Sequence, residues 1–498
     1  MKILNAAQIR DLDKFTIENE PIESINLMER SATAFVRWFT EKFNKEQKVI
    51  IFCGFGDNGA DGLAIARMLI QKLYYVSIFH IKEKETSENY QINEERLSHV
   101  GFINTLQSIK ELPVLSSDCI LIDALFGSGT NKPIEGLYAE VITSINKSKA
   151  TVVAVDMPSG LYMDKQNEND FIIKAQYTVS FQVPKLAFML AQHQEFVGDW
   201  YILYIGLNRN FIEAAETNYY YTDEAYIKNL IRKRRKFSHK GDYGKALLIA
   251  GSYGMLGAAV LCSKACLRSG VGLVKVYVPE SGFFVLQNDL PEAIVLTDPH
   301  PEIITALPEL SEFTSIGIGP GIGENKETIL AFEKLLTESK IPLVIDASAL
   351  NILGKNKVLL NKIPQNSILT PHKIEFERLV GKTENDYDQL EKAKNMCKQF
   401  KIYIVLKGAH SAVISPDGTI FFNSTGNPGM AKAGTGDVLT GIITSMLAQG
   451  YTSQEACLIG VYMHGYAGDA AARKLSQQSM LASDIIDGIT YFFKDFSK

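Results

Sequence analysis

Long apolar runs are missing from this chain. No stretch approaches the ~18 uninterrupted apolar residues that a membrane helix needs, so no membrane partner is expected. Cysteine is scarce: six residues in 498 (Cys53, Cys119, Cys262, Cys266, Cys397 and Cys457) are no disulfide framework. Cys262 and Cys266 lie four apart in an apolar helical pattern, with no Cys or His spaced to complete a zinc site, and read as core thiols. Positive charge is not in excess either. A net charge of −5 argues against a nucleic-acid-binding surface, and the one basic run, 232–236, reads as a solvated connector. Low-complexity segments and short repeats are absent. The first twenty residues carry Arg10, Asp11, Asp13 and Lys14 where a secretory leader needs its apolar stretch, so a cytoplasmic location is expected.

What is present is ordinary globular composition, 46% apolar and 21% charged, over a length that calls for two large domains. Up to about Lys45 the apolar residues recur at three- and four-residue intervals, as in helices. The period then changes. Short β-branched runs at 48–53, 74–79, 119–123 and 151–156 alternate with helix-length segments, the signature of an α/β layered fold whose ligands gather at the carboxyl ends of its strands. The rhythm lapses after Gly206 and resumes with runs at 244–251, 273–278, 315–319, 342–346, 367–370 and 402–407. This places a first domain at 1–215, a linker at 216–236 and a second α/β domain at 237–498.

Each strand end carries a candidate motif. After the first strand comes GFGDNGADG, residues 54–62, whose Asp57, Asn58 and Asp61 are unlike the small neutral loop of a dinucleotide fingerprint and suit a cation or a ribose. Asn58, Asp123 and Ser159 stand at three strand ends, where their oxygens could converge on one hard cation or simply close local turns and caps. Together with Asp123-Ala-Leu-Phe-Gly-Ser-Gly129 and Asp156-Met-Pro-Ser-Gly-Leu161, this first part resembles the NAD(P)H-hydrate epimerases, Rossmann-like proteins that interconvert the R and S forms of hydrated NADH and NADPH. The resemblance implies a potassium ion on Asn58, Asp123 and Ser159. It also implies substrate contacts from Asp57, Asn58, Gly59, Ala60 and Asp61, from the loop Gly127, Ser128, Gly129, Thr130, Asn131, Lys132 and Pro133, and from Asp156. Asp156 and Lys132 are then a candidate acid–base or charge-stabilising pair. Lys132 stands where many members carry Arg, giving up a bidentate phosphate grip.

In the second half, GNPGMAKAGTGD (426–437) runs straight into an apolar stretch of helical spacing. A helix starting near Asp437 would turn its unpaired N–H groups and positive dipole end toward an anion, with Asp437 beside it as a base or as a plain helix cap. This turn, with IAGSYGMLGA (249–258), GPGIG (319–323), DASAL (346–350), TPHKIE (370–375) and KGAHS (407–411), resembles the ADP- or ATP-dependent NAD(P)H-hydrate dehydratases, relatives of the ribokinase-like sugar kinases. The resemblance implies nucleotide contacts at Lys407, Gly408, Ala409, His410, Ser411, Gly434, Thr435 and Gly436. Ala258, Gly321, His372 and Asp437 would meet the hydrated cofactor. Ser348 and Lys373-Ile374 depart from the commoner Asp and Pro-Gly at those places, which touches magnesium handling more than the anion site. His464, in VYMHGYAGD, falls on an apolar helical face, where packing and function are equally good readings.

The expectation is therefore a two-domain repair enzyme. The first domain epimerises hydrated NADH and NADPH; the second, with Asp437 as base, dehydrates the S epimer at the expense of ADP or ATP, with potassium and magnesium as ions. A homo-oligomer is expected. Two other readings stay open at this stage: a ribokinase-like kinase acting on a vitamin-precursor alcohol with a first domain that only binds, and a first domain that serves as a scaffold.

Overall fold

The computed structural model describes residues 1–81, 85–130 and 132–496. The chain divides into two compact units: Lys2–Thr217, and the residues from Asn218 onward together with Met1.

The first unit holds a seven-stranded, all-parallel sheet: β1 (Val49–Cys53), β2 (Val76–His80), β3 (Ile103–Thr105), β4 (Ile120–Ala124), β5 (Thr151–Val155), β6 (Tyr177–Phe181) and β7 (Asp199–Leu203), in the order β3-β2-β1-β4-β5-β6-β7. Successive residues of a strand point to opposite faces, so Val49, Ile51 and Cys53 pack into one apolar layer and Ile50 and Phe52 into the other. Both faces are therefore covered, as a parallel sheet requires. The strand order reverses between β1 and β4, and that switch point is where a crevice opens for ligands. The opening helical region is two helices, Ala6–Asn19 and Ser24–Lys42, broken around Pro21.

The second unit holds a ten-stranded sheet: β8 (Tyr219–Thr222), β9 (Lys245–Ile249), β10 (Leu273–Val278), β11 (Ile294–Thr297), β12 (Ser315–Ile318), β13 (Leu343–Ile345), β14 (Ile368–Leu369), β15 (Tyr403–Leu406), β16 (Ala412–Ile414) and β17 (Ile420–Asn423). The order is β11-β10-β9-β12-β13-β14-β15-β16-β17-β8, parallel except where β16 pairs antiparallel with β15 and β17. Its switch point lies between β9 and β12. The stretch 216–236, read from sequence as a linker, contains β8, which pairs with β17, and the helix Glu224–Leu230, whose Ile227 is buried in the second unit's core. Its three consecutive tyrosines make a good strand, and a count of polar residues hides that. Within the basic run, Arg232 reaches the Gly450 carbonyl and stacks on Tyr451, and Arg234 bonds the Gly270 carbonyl and stacks on Tyr243. Gly270 and Gly450 follow the helices Leu256–Arg268 and Thr435–Ala448, so these arginines neutralise the negative C-terminal ends of both.

Candidate functional sites

In the first unit the chain turns from β1 through Gly54 and Gly56 into the helix Asp57–Gln71. A side chain on Gly54 would overlap the Leu125 carbonyl after β4, and one on Gly62 would come within 2.8 Å of Cys53 Sγ. The glycines let this helix start hard against the switch point. Gly59 and Ala60 are buried in that packing, whereas Gly56, Asp57, Asn58 and Asp61 line the cavity in front of it. That cavity, about 890 Å³, is also lined by Gly127 to Thr130, Lys132, Pro133 and Asp156. The sequence-predicted substrate residues are thus largely brought together, with Gly59 and Ala60 serving the backbone behind them. Asn131 lies outside the described residues.

Asp156 follows β5 with a left-handed φ of +63°, a conformation costly for a non-glycine residue. Its Oδ1 accepts a hydrogen bond from Ser180 Oγ at 2.8 Å and lies 3.3 Å from Lys185 Nζ. Lys185 is 1% exposed, with its ammonium within 3.3 Å of the Phe181 and Val183 carbonyls. Sequence reasoning missed this lysine and also Asp13, which enters the same cavity from the helix Ala6–Asn19. Burial pushes Asp13 up to about 6, Lys185 pulls it down, and Asp156 and Asp57 push it up. Asp61 is raised well above the usual carboxylate range by burial and by the neighbouring Asp156, Asp57 and Asp13. Four carboxylates thus share one wall with one buried ammonium.

Behind this wall Asp123, at the end of β4, is 1% exposed. Its carboxylate accepts the Ser159 backbone N–H at 2.8 Å, lies 2.6 Å from Ser159 Oγ and accepts the Leu125 N–H at 3.2 Å. Burial pushes it up to about 6 against those hydrogen bonds. No ion pair among the described residues includes Asp123. The Asn58 amide nitrogen, beside Gly127, is buried without a partner. Asp123 is thus a buried negative charge without a counter-charge among the described residues, next to the Ser159 hydroxyl, and hard oxygens of this kind suit a monovalent cation; the unmatched Asn58 atom is an N–H donor, which a cation does not use.

In the second unit the glycine-rich turn leads into the helix Thr435–Ala448, with Gly434 as cap at φ +87°. The first-turn N–H groups of Thr435, Gly436 and Asp437 have no partner within the helix. Asp437 is pushed up to about 6, first by burial, then by Asp346, while Lys407 pulls it down. Asp346, at the end of β13, is 1% exposed; its two oxygens meet Lys407 Nζ at 2.9 Å and Thr440 Oγ1 at 2.7 Å. Glu375 Oε2 is 3.8 Å from the same ammonium. A side chain on Gly436 would stand within 3.4 Å of Lys407 Nζ, so the lysine faces the turn.

At the switch point, Gly321 (φ +67°) is so near the helix Leu256–Arg268 that a Cβ would lie 3.2 Å from that of Ala258, and its carbonyl accepts from Ser252 Oγ at 2.7 Å. The structure thus joins Ala258 to Gly321, and Lys407 to the Gly434–Asp437 turn. His372 caps the helix Lys373–Val380 through Nδ1, and its backbone N–H donates to Glu375. His410 is tied to the Asn423 carbonyl, and Ser411 Oγ closes the turn at Gly408. Sequence reasoning had not given Asp346, Glu375 or Thr440 a role, although DASAL and TPHKIE pointed to the neighbourhood of the first two.

Comparison with known proteins settles the family. The model described as NAD(P)H-hydrate dehydratase matches residues 246–491, and the one described as YjeF-related protein N-terminus matches 24–187. The bifunctional NAD(P)H-hydrate repair enzyme Nnr of Moorella thermoacetica is 33% identical, covering 100% of this chain and 98% of its own. The chain belongs to the bifunctional NAD(P)H-hydrate repair enzymes. The Nnr of Thermofilum pendens is 32% identical, over 98% of this chain and 95% of its own. Among solved structures, the ADP/ATP-dependent NAD(P)H-hydrate dehydratase from Bacillus subtilis, co-crystallised with ATP/Mg2+, is 33% identical with a TM-score of 0.50, covering 56% of this chain and 100% of its own. A ribokinase-like superfamily protein from Enterococcus faecalis gives 26% and 0.50, over 57% and 98%. The α/β fold and ribokinase-like second half expected of this repair-enzyme family are therefore found, and no described helix is long and apolar enough to cross a membrane.

Proposed function

We propose that the first unit epimerises the R and S forms of hydrated NADH and NADPH, and that the second dehydrates the S form at the expense of ADP or ATP. The observation that carries this reading is the pair of strand-end sites on one chain. One is a carboxylate-rich cavity without a phosphate-binding turn of the GTGD kind; the other is a helix N-terminus with a buried base beside it. In the second site Asp437 takes the proton of the hydrate's hydroxyl as its oxygen attacks the terminal phosphorus of the nucleotide. The helix N-terminus and Lys407 hold the charge that develops on the transferred phosphoryl group. The ring nitrogen's lone pair then expels phosphate, and loss of a proton from the adjacent carbon restores the nicotinamide ring. A carboxyl near 6 is mostly ionised at neutral pH and so able to act as base.

In the first site Asp156, held by Lys185 and Ser180, is the acid–base group, with Lys132 on the facing loop. Asn58, Asp123 and Ser159 would hold the potassium ion that the resemblance implies, and it would supply the counter-charge that the buried Asp123 lacks. Magnesium arrives with the nucleotide, and Asp346 and Glu375 are the acidic groups gathered at Lys407. Incubation of the protein with chemically hydrated NADH and ADP or ATP recovers the NADH absorbance band. No recovery with either nucleotide refutes the reading.

A further inference from the structure

The helix Ser453–Leu475 packs beneath the glycine-rich loop and contains His464, which the reaction as described does not use. Four of its residues, His464, Gly465, Gly468 and Asp469, recur as two i, i+4 pairs and so lie on one face of the helix. Every one of them meets the 425–436 segment. Asp469 accepts the Gly426 backbone N–H and the Asn427 side-chain N–H, each at 2.9 Å. A side chain on Gly465 would overlap the Thr425 backbone, so that glycine is needed for the loop to lie this close, and one on Gly468 would press on the Met430 side chain. Thr425 Oγ1 closes the same seam by donating to the Tyr462 carbonyl at 2.8 Å.

His464 completes the row at the turn itself. Its Nε2 is buried with no partner, and Nδ1 is the ring nitrogen left to face the Thr435 backbone. Burial pushes the ring down to about 4, and the nearby Lys407 acts in the same direction. The imidazole is therefore neutral at any working pH and acts through its hydrogen bonding and shape, with no charge of its own.

We propose that this face is the mould of the nucleotide site, with His464 and Asp469 as positioning residues that hold the Gly434–Asp437 turn in its anion-binding shape. The proposal rests on the reading of that turn as the phosphate site. A run of backbone N–H groups binds phosphate only while the turn keeps its curvature; within the turn Thr435 Oγ1 donates to the Lys432 carbonyl at 2.9 Å, and the remaining support has to come from outside it. The His-Gly-x-x-Gly-Asp spacing supplies that constraint from the neighbouring helix.

The test uses the full chain and its His464→Ala, His464→Asn and Asp469→Ala variants. In each, KM for ADP, KM for hydrated NADH and the epimerase rate are measured on one preparation. Loss of a buried hydrogen bond predicts an increase of about tenfold in nucleotide KM for either alanine variant. KM for the hydrate should stay within about twofold and epimerisation should be parental. Asparagine offers a nitrogen near the place of Nδ1, so His464→Asn should recover most of the loss, as a merely space-filling role would not. Parental nucleotide KM in both alanine variants overturns the proposal, as does a loss shared equally by both substrates with no recovery in His464→Asn. A parent protein whose reaction needs no nucleotide refutes the functional reading itself, and the mould with it; a nucleotide-dependent parent with indifferent variants refutes the mould alone.

Discussion

Replacing Asp437 with Asn should abolish dehydration and at the same time stabilise the second unit. The carboxyl is raised from 3.8 to about 6, so at neutral pH its ionised form is penalised in the folded state relative to the unfolded one. At 1.36 kcal/mol per pH unit, that penalty is about 3 kcal/mol. The sign follows from proton binding. Between the two values the folded state holds the proton more tightly than the unfolded state, so stability falls as pH rises toward 6 and stays low above it. Below 3.8 both states are protonated and the penalty vanishes. An asparagine never ionises, so Asp437→Asn should gain about 3 kcal/mol at pH 7.5, or roughly 5 °C in the melting transition that nucleotide shifts, and less than about 1 kcal/mol near pH 4. Scanning calorimetry of both proteins across that range reads the difference. The parent's dehydration kcat/KM should fall about tenfold per unit below pH 6, as the base is protonated. A variant that melts with or below the parent at pH 7.5, or whose advantage does not depend on pH, would refute the reasoning.

Lys185→Met removes the buried ammonium beside Asp156; it should cost about 3 kcal/mol in the first unit's stability and slow epimerisation while leaving dehydration at the parental rate, and parental epimerisation would contradict the role given to the pair. Exchange of potassium for choline should slow epimerisation alone, whereas Ser159→Ala should make the rate indifferent to potassium; a parent rate independent of potassium removes the ion from Asn58, Asp123 and Ser159. Gly319→Ala would force a Cβ against the Asp346 carbonyl and displace the carboxylate that holds Lys407. A shift of about 1 Å at such a site costs about 100-fold in rate, so nearly parental dehydration would show that Asp346 does not set the geometry.

Much of this was legible in the sequence because strand ends and glycines leave local marks. The runs at 48–53, 151–156 and 273–278 coincide with β1, β5 and β10 to within a residue or two, and the turn at 434–437 opens the helix expected of it. What was not legible depends on distance along the chain. Asp13 and Lys185 are about 170 residues apart and meet only because the first helix and the segment after β6 flank one cavity. Lys407 was expected at the nucleotide, but its ion pairs were not: Asp346 and Glu375 follow two other strands, and no spacing announces that their carboxylates meet its ammonium. The edge of the second sheet was hidden for another reason: β8 is three tyrosines and a threonine within a polar stretch, and pairing with β17, not composition, makes it a strand. His464 shows the limit most clearly, since a histidine on an apolar face looks the same whether it fills space or supports a turn.

The central claim is that two sites on one chain act in series on the two epimers. The direct test is the extent of NADH recovery from an equal mixture of R and S hydrate with excess ADP, before the protein-free control shows appreciable epimerisation. The account predicts that the parent recovers nearly all of the NADH and that Asp156→Ala stops at about half. Complete recovery by Asp156→Ala at the parental rate, or a plateau at half in the parent, would contradict it.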